Sequence, residues 1–247
     1  MGRLDGKVAV VTGASSGIGE ATAYALANEG ATIAIGARRE EKLHKVADRI
    51  RDNGGSVMAQ KLDVTSNAEV TAFFKAAGSL NGGVDILVNN AGLMLLGPMS
   101  ERPVEEWRTM MEVNVMGALY CIKAVLPVMV TRGSGYIVNI SSTSGRRTTA
   151  TGAVYSGTKF ALNAITEGLR KEVHDRGVRV VAIEPGLVDT ELPHHVQDEN
   201  IRDRLLNMDG FTKLQSEDIA EAVLYAVTQP SHVNVNEILI RPTDQKN

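Results

Sequence analysis

Cysteine is almost missing from this chain of 247 residues. Cys121 stands alone, so no internal disulfide can form. A reducing, cytoplasmic setting is therefore expected, and Cys121, inside an apolar helical run, reads as a small core residue. An excess of one charge is missing too. The formal net charge is −3, with no basic stripe or charged block, which argues against nucleic acid as a partner. No run of about 18 apolar residues appears, so no membrane span is expected. The opening Met1-Gly2-Arg3-Leu4-Asp5-Gly6 enters an apolar stretch directly, so no signal peptide is expected. No Pro/Gly/Ser-rich linker divides the chain, and it carries no internal repeat. With 43% hydrophobic and 22% charged residues, a single domain over 1–247 with a sizeable core is expected.

What is present alternates. Apolar strand candidates fall at 7–12, 32–36, 57–62, 85–88, 135–140, 178–184 and 237–240. Helical patterns fall near 17–29, 39–53, 67–77, 103–131, 152–175 and 216–228. Strands that alternate with helices predict an α/β fold, a doubly wound, mostly parallel seven-stranded sheet of Rossmann type with helices on both faces. The strands are continuous apolar runs, as expected when both faces are covered. Pro127 is expected to kink the fourth helix or end it early. The segment 187–215 has no regular pattern, and an irregular stretch that long predicts a substrate lid. It holds His194, His195, Leu205, Leu206, Met208 and Phe211. The adjacent histidines lack a carboxylate or cysteine at metal-binding spacing, so no metal site is predicted.

Three features carry chemistry. The first is Thr12-Gly13-Ala14-Ser15-Ser16-Gly17-Ile18-Gly19, between the first strand and an Ala-rich helix. Gly13 permits a tight turn, Gly17 a close approach to a pyrophosphate and Gly19 close helix–strand packing. The helix N-terminus offers free N–H groups and a positive dipole end to phosphates. The second is the end of the second strand, Gly36-Ala37-Arg38-Arg39. Ala37 stands where an acid would hold the ribose 2′-hydroxyl of NAD, and an arginine there can hold a 2′-phosphate instead, so NADP(H) is favoured. The other reading of Arg38 and Arg39 is the solvated start of a helix. Leu62-Asp63-Val64, closing the third strand, is placed to meet the adenine. The third feature is Tyr155 and Lys159, four residues apart and so on one helix face. A phenol with an ordinary pKa of about 10 is expected to be lowered by the neighbouring ammonium, giving a tuned acid/base. An isolated pair of this kind also suits a solvated helix face.

These motifs, with Asn89-Asn90-Ala91-Gly92, Asn114, Ile140-Ser141-Ser142 and Pro185-Gly186, resemble the short-chain dehydrogenase/reductase family over essentially the whole chain. The helix Asp218-Ile219-Ala220-Glu221-Ala222-Val223 and the stretch Glu237–Thr243 resemble a branch holding clavulaldehyde reductases and NADP-dependent 3-hydroxy acid or serine dehydrogenases. The resemblance implies an NADP(H)-dependent oxidoreductase that interconverts a carbonyl and an alcohol. In it Tyr155 is the general acid/base, Lys159 lowers its pKa and binds the nicotinamide ribose, and Ser142 holds the carbonyl oxygen. Asn114 supports a water that relays protons to Lys159. Asn90 steadies the central strand end or touches cofactor directly, and Ala91-Gly92 lies against the adenosine ribose. Pro185, Gly186, Leu187, Val188 and Thr190 meet the nicotinamide end or the pyrophosphate.

The expected substrate pocket adds Met94, Thr143, Ser144, Val154 and Leu187. Arg146, Arg147 and His194 are each candidates for a substrate carboxylate or for plain solvation. A small-molecule carbonyl or alcohol is the expected substrate, with a 3-hydroxy acid or a catalytically silent NADP-binding sensor as alternatives. A homotetramer is implied, built across 103–131 with 152–175 and across the last helix and strand.

Overall fold

The computed structural model describes residues 2–208 and 212–245. Seven parallel strands form one sheet: β1 (Val8–Thr12), β2 (Thr32–Ala37), β3 (Val57–Lys61), β4 (Ile86–Asn89), β5 (Gly135–Ile140), β6 (Val178–Pro185) and β7 (Glu237–Ile240). Their order is β3-β2-β1-β4-β5-β6-β7. The chain winds outward from β1 in one direction and from β4 in the other, which opens a crevice at the carboxyl ends of that pair.

Alternate residues explain the apolar runs. Ala9 and Val11 face one core with Ile33, Ile35 and Val138, while Val10 faces the other with Ala34, Leu87 and Ile137. Helices α1 (Gly17–Asn28), α2 (Glu40–Asp52) and α8 (Ser216–Val227) cover the first face. In α2 the buried residues Leu43, Val46, Ala47 and Ile50 recur at helical spacing, so one stripe meets the sheet. The second face takes α3 (Asn67–Ala77), α5 (Gly117–Arg132) and α6 (Ala153–Val173). Cys121 is fully buried there, and desolvation pushes its thiol up to about 12, which makes it inert.

Two expectations are corrected. The helix over 103–131 is not uniform: α4 (Val104–Met111) passes through a π turn at Glu112–Met116 into α5. Pro127 does not end it, since α5 continues to Arg132. Lys123, four residues before Pro127, is exposed, so the carbonyl deprived of a donor lies on the solvent side. By length and composition Val104–Arg132 could cross a membrane; here one stripe of it, with Cys121, Val125 and Met129, is buried in the second core.

The segment 187–215 is the second correction. It contains a 3-10 turn at Leu192–His195 and a helix, α7 (Glu199–Leu206). Asp198 caps α7 by accepting a hydrogen bond from the Ile201 N–H at 3.0 Å. The ends of the segment are tied together, because Asp189 N–H donates to the Leu214 carbonyl at 2.8 Å and Leu214 N–H to the Leu187 carbonyl at 3.0 Å. Phe211 lies outside the described residues.

Candidate active site

A cavity of about 510 Å³ runs along the crevice. Glycines shape its first end. Gly13 has φ of +66°, and a Cβ there would lie 2.8 Å from the Ala91 Cα. A Cβ on Gly19 would lie 2.6 Å from the Gly13 carbonyl oxygen, so Gly19 serves packing and does not line the cavity. Both are requirements no side chain meets. Ser15, Ser16, Gly17 and Ile18 line the cavity where α1 begins. A Cβ on Gly17 would lie 3.3 Å from the Thr190 methyl carbon, which places Thr190 beside that helix start. Ala37, Arg38 and Arg39 from β2, and Leu62, Asp63 and Val64 after β3, complete this end.

The cations here are arranged unequally. The Arg39 guanidinium donates to Ser15 Oγ at 3.1 Å and pairs with Glu191 at 2.5 Å, and Lys42 also pairs with Glu191 at 2.5 Å. Hydrogen bonds from Lys42 and Arg39 hold the Glu191 carboxyl down to about 2. Arg38 is exposed and makes no hydrogen bond or ion pair among the described residues. Lys42 and Glu191 were invisible to sequence reasoning because 149 positions separate them.

Asn90 does the structural part of its expected double role. Its amide donates to the Thr12 carbonyl at 3.0 Å and the Gly13 carbonyl at 3.2 Å, closing the end of β1 while it also lines the cavity. Ala91 and Gly92 follow along the wall, and Pro185, Gly186, Leu187 and Val188 approach from β6. Gln245, which sequence reasoning missed, accepts from the Leu187 N–H at 3.0 Å and lines the same wall. A residue in a tail beyond the last strand carries no motif that could have announced it.

The second end belongs to α6. Tyr155 and Lys159 are both 6% exposed and both line the cavity. A buried chain of hydrogen bonds seats α6 on the sheet: Asn89 donates to Asn139 at 2.9 Å and Asn139 to Thr166 at 2.8 Å. The Lys159 ammonium donates to the Ile140 carbonyl at 2.9 Å and lies 5.9 Å from the centre of the Tyr155 ring. Ser142 accepts from the Ser144 N–H at 3.0 Å, which turns the loop after β5, and its side chain hydrogen-bonds Tyr155. Adjacent Ser141 is buried, with its hydroxyl directed at the Lys159 carbonyl at 3.4 Å.

The expected lowering of the tyrosine is corrected. Burial pushes Tyr155 up to about 12, opposed by the hydrogen bond with Ser142, and burial brings Lys159 down to about 8. Desolvation penalises the charged form of each group, so both lean toward neutrality. Tyr155 therefore stands as a protonated donor.

Four further positions depart from expectation. Asn114 is buried and off the cavity; its amide is engaged with the Leu93 N–H at 2.7 Å, the Leu93 carbonyl at 2.8 Å and Thr158 at 3.0 Å. Its oxygen still points toward the same space as Lys159, since a Cβ on Gly92 would lie 3.6 Å from the Asn114 oxygen and 3.8 Å from the Lys159 nitrogen. Val154 packs behind the wall with Tyr155 instead of lining it. His194 is exposed and outside the cavity, and His195 takes the inward position, with its ring held below the usual histidine range mainly by burial. Arg146 is consumed by Glu184 and Glu237, and Arg147 faces the cavity in its place. Met94, Thr143 and Ser144 line the cavity as expected.

A family model described as short chain dehydrogenase matches residues 7–201. An uncharacterized oxidoreductase of Staphylococcus saprophyticus is 47% identical over 243 residues, 98% of this chain and 100% of its own. The closed form of a serine dehydrogenase complexed with NADP+ is 36% identical with a TM-score of 0.87, over 94% of both chains. An alcohol dehydrogenase from the archaeon Thermococcus sibiricus, complexed with 5-hydroxy-NADP, is 34% identical with a TM-score of 0.86, over 98% of both chains. A doubly wound sheet with a glycine cradle and a tyrosine–lysine pair on one crevice defines a nucleotide-dependent oxidoreductase class. This chain belongs to the short-chain dehydrogenase family.

Proposed function

We propose that this protein is an NADP(H)-dependent oxidoreductase that interconverts an aldehyde or ketone and its alcohol, with Tyr155 as the general acid/base. The observation that carries this reading is one cavity with phosphate-binding groups at one end and Tyr155, Ser142 and Lys159 at the other. The donor set fits the cofactor. Ser15, Ser16 and the start of α1 suit the pyrophosphate, while Arg38, Arg39 and Lys42 suit a 2′-phosphate through charge-assisted hydrogen bonds. When bound, NADPH supplies the hydride.

The chain's own residues supply position and proton. The Ser142 and Tyr155 hydroxyls converge, so a carbonyl oxygen seated between them accepts from both. Tyr155 gives its proton to that oxygen as negative charge develops there, and the Lys159 cation stabilises the resulting phenolate. Oxidation of the alcohol returns the proton along the same path. Burial of both groups keeps this exchange out of bulk water. The test is NADPH consumption, followed optically, across a panel of aldehydes and ketones. Turnover of several is expected; no consumption across a broad panel would leave a silent NADP-binding protein as the better reading.

Arg38→Asp combined with Arg39→Ala is expected to lower kcat/KM for NADPH by about 10-fold or more and to raise it for NADH, since each lost guanidinium removes a charge-assisted bond. Unchanged NADPH selectivity would refute the 2′-phosphate assignment.

A cytoplasmic homotetramer is part of the same proposal. Val104 and Val128 on the long helix, Phe160 on α6, and Tyr225 and Leu239 at α8 and β7 are large apolar side chains left exposed. Light scattering reads the mass directly.

A further inference from the structure

A carboxylate stands among the cations at the cofactor end of the cavity, and hydride transfer has no use for it there. Glu191 lines the cavity together with Arg38 and Arg39. Its two oxygens are divided between two cations: one pairs with Arg39 at 2.5 Å and the other with Lys42 at 2.5 Å. Ser16 adds a side-chain hydrogen bond, and these contacts together keep the carboxyl ionised. Arg39 in turn donates to Ser15 and Ser16, which line the cavity where α1 begins. An anion is thus held where three segments meet: the start of α1, the end of β2 and the chain that follows β6.

The backbone fixes Glu191 in that place. Thr190 lies beside Gly17, and the Asp189 N–H is tied to the Leu214 carbonyl at 2.8 Å. The Glu191 carbonyl accepts from the His194 N–H at 3.0 Å, at the 3-10 turn Leu192–His195. The other acid that lines the cavity, Asp63, is turned to Thr65 at 2.8 Å. Glu191 is therefore the anion placed on the cations assigned above to a 2′-phosphate. A phosphate monoester carries about two negative charges and three acceptor oxygens, so it seeks the same guanidinium and ammonium with more charge. One set of donors cannot serve both anions fully, and the two anions repel. A ribose 2′-hydroxyl is neutral, so it neither competes nor is repelled.

We propose that Glu191 is a specificity-determining residue of the cofactor site: it is the chain's own anion in the 2′-phosphate subsite, and a 2′-phosphate binds by taking Arg39 and Lys42 from it. The proposal rests on the NADP(H) reading of Arg38 and Arg39 and deepens it. Arg38, which makes no ion pair among the described residues, is gained outright by the phosphate; Arg39 and Lys42 are gained only by exchange. The site consequently binds NADP(H) less tightly, and discriminates less against NAD(H), than its three cations alone would.

The test is calorimetric titration with 2′,5′-ADP and 5′-AMP, which differ only in the 2′-phosphate and read binding without turnover. Glu191→Gln is expected to tighten 2′,5′-ADP by about 3–10-fold, the scale of two exposed ion pairs, and to leave 5′-AMP nearly unchanged. The gain is expected to shrink as ionic strength rises. In a protein that also carries Arg39→Gln and Lys42→Gln, Glu191→Gln is expected to give almost no gain, because no cation remains to be exchanged. Unchanged or weaker 2′,5′-ADP binding in Glu191→Gln would show that the carboxylate positions Arg39 for the phosphate, and would overturn the proposal. Equal tightening of both nucleotides would overturn it too, as a general loosening of the segment after β6. A full gain that survives without Arg39 and Lys42 would reduce Glu191 to a distant repulsion and overturn the exchange. If 2′,5′-ADP binds no better than 5′-AMP in both the native protein and Glu191→Gln, the 2′-phosphate reading of Arg38 and Arg39 itself fails.

Discussion

Replacing Tyr155 by Phe is expected to lower kcat by about 10²–10⁴-fold, the range that general acid catalysis supplies, while NADPH binding measured by fluorescence persists. The hydroxyl is the proposed proton donor, pushed up to about 12 by burial and opposed in that by its hydrogen bond with Ser142. Removing it leaves the cradle at Gly13, Arg38 and Arg39 intact, since those groups lie at the other end of the cavity. Substantial residual turnover would sink the assignment. The native protein adds a pH signature. Lys159, brought down to about 8 by desolvation, is charged below that pH and neutral above it. The cation that stabilises the phenolate is thus present at lower pH, and the reductive rate is expected to fall as pH rises through about 8. Because the two groups interact, that midpoint belongs to the pair. A reductive rate that climbs between pH 8 and 10 would contradict the proposed role.

Arg146→Ala is expected to destabilise the protein by about 2–3 kcal/mol. Its partner Glu184 is completely buried and shares its carboxylate between Arg146 and the Asn163 amide at 2.6 Å. Removing one partner of a buried pair costs about 3–5 kcal/mol because it strands a buried charge. The lower figure applies because the Arg146 side chain is 41% exposed. For a chain of this size that loss corresponds to roughly 4–12 °C in Tm, read by calorimetry. Burial already raises the Glu184 carboxyl, opposed by Arg146, so the variant's carboxyl rises further above its unfolded value. The folded state then binds the extra proton, and stability falls as pH increases from the unfolded carboxyl range. Arg146→Ala with Glu184→Gln is expected to recover part of the loss. An unchanged Tm in the single variant would show that Asn163 alone satisfies the carboxylate. The pair also joins the loop after Ser142 to the strand end before Pro185, so the same variant should loosen both walls of the site.

The strands were legible to within a residue or two because five of the seven are buried on both faces, and such burial demands an apolar run, while the edge strands β3 and β7 are only partly buried. Tyr155, Ser142, Lys159 and the glycines were legible for a related reason. The chemistry proposed for them needs particular residue types at spacings set by one turn or one helix. Helix α7 escaped because only Ile201 and Leu205 mark its inner face, although Asp198 three positions before Ile201 was a usable capping signal. The π turn at Glu112–Met116 left no compositional trace.

The sequence by itself determined the parallel sheet, the glycine cradle and the serine–tyrosine–lysine set, since backbone geometry and local spacing dictate those residues. Only the tertiary structure decided which charges are free. Arg146 and Arg147 are neighbours in sequence, yet one is spent on Glu184 and the other faces the cavity. His194 and His195 divide between solvent and site in the same way. Burial, likewise, reversed the expected direction for Tyr155. Ion pairing and desolvation depend on what the rest of the fold places nearby, and that is not encoded in any short stretch of chain.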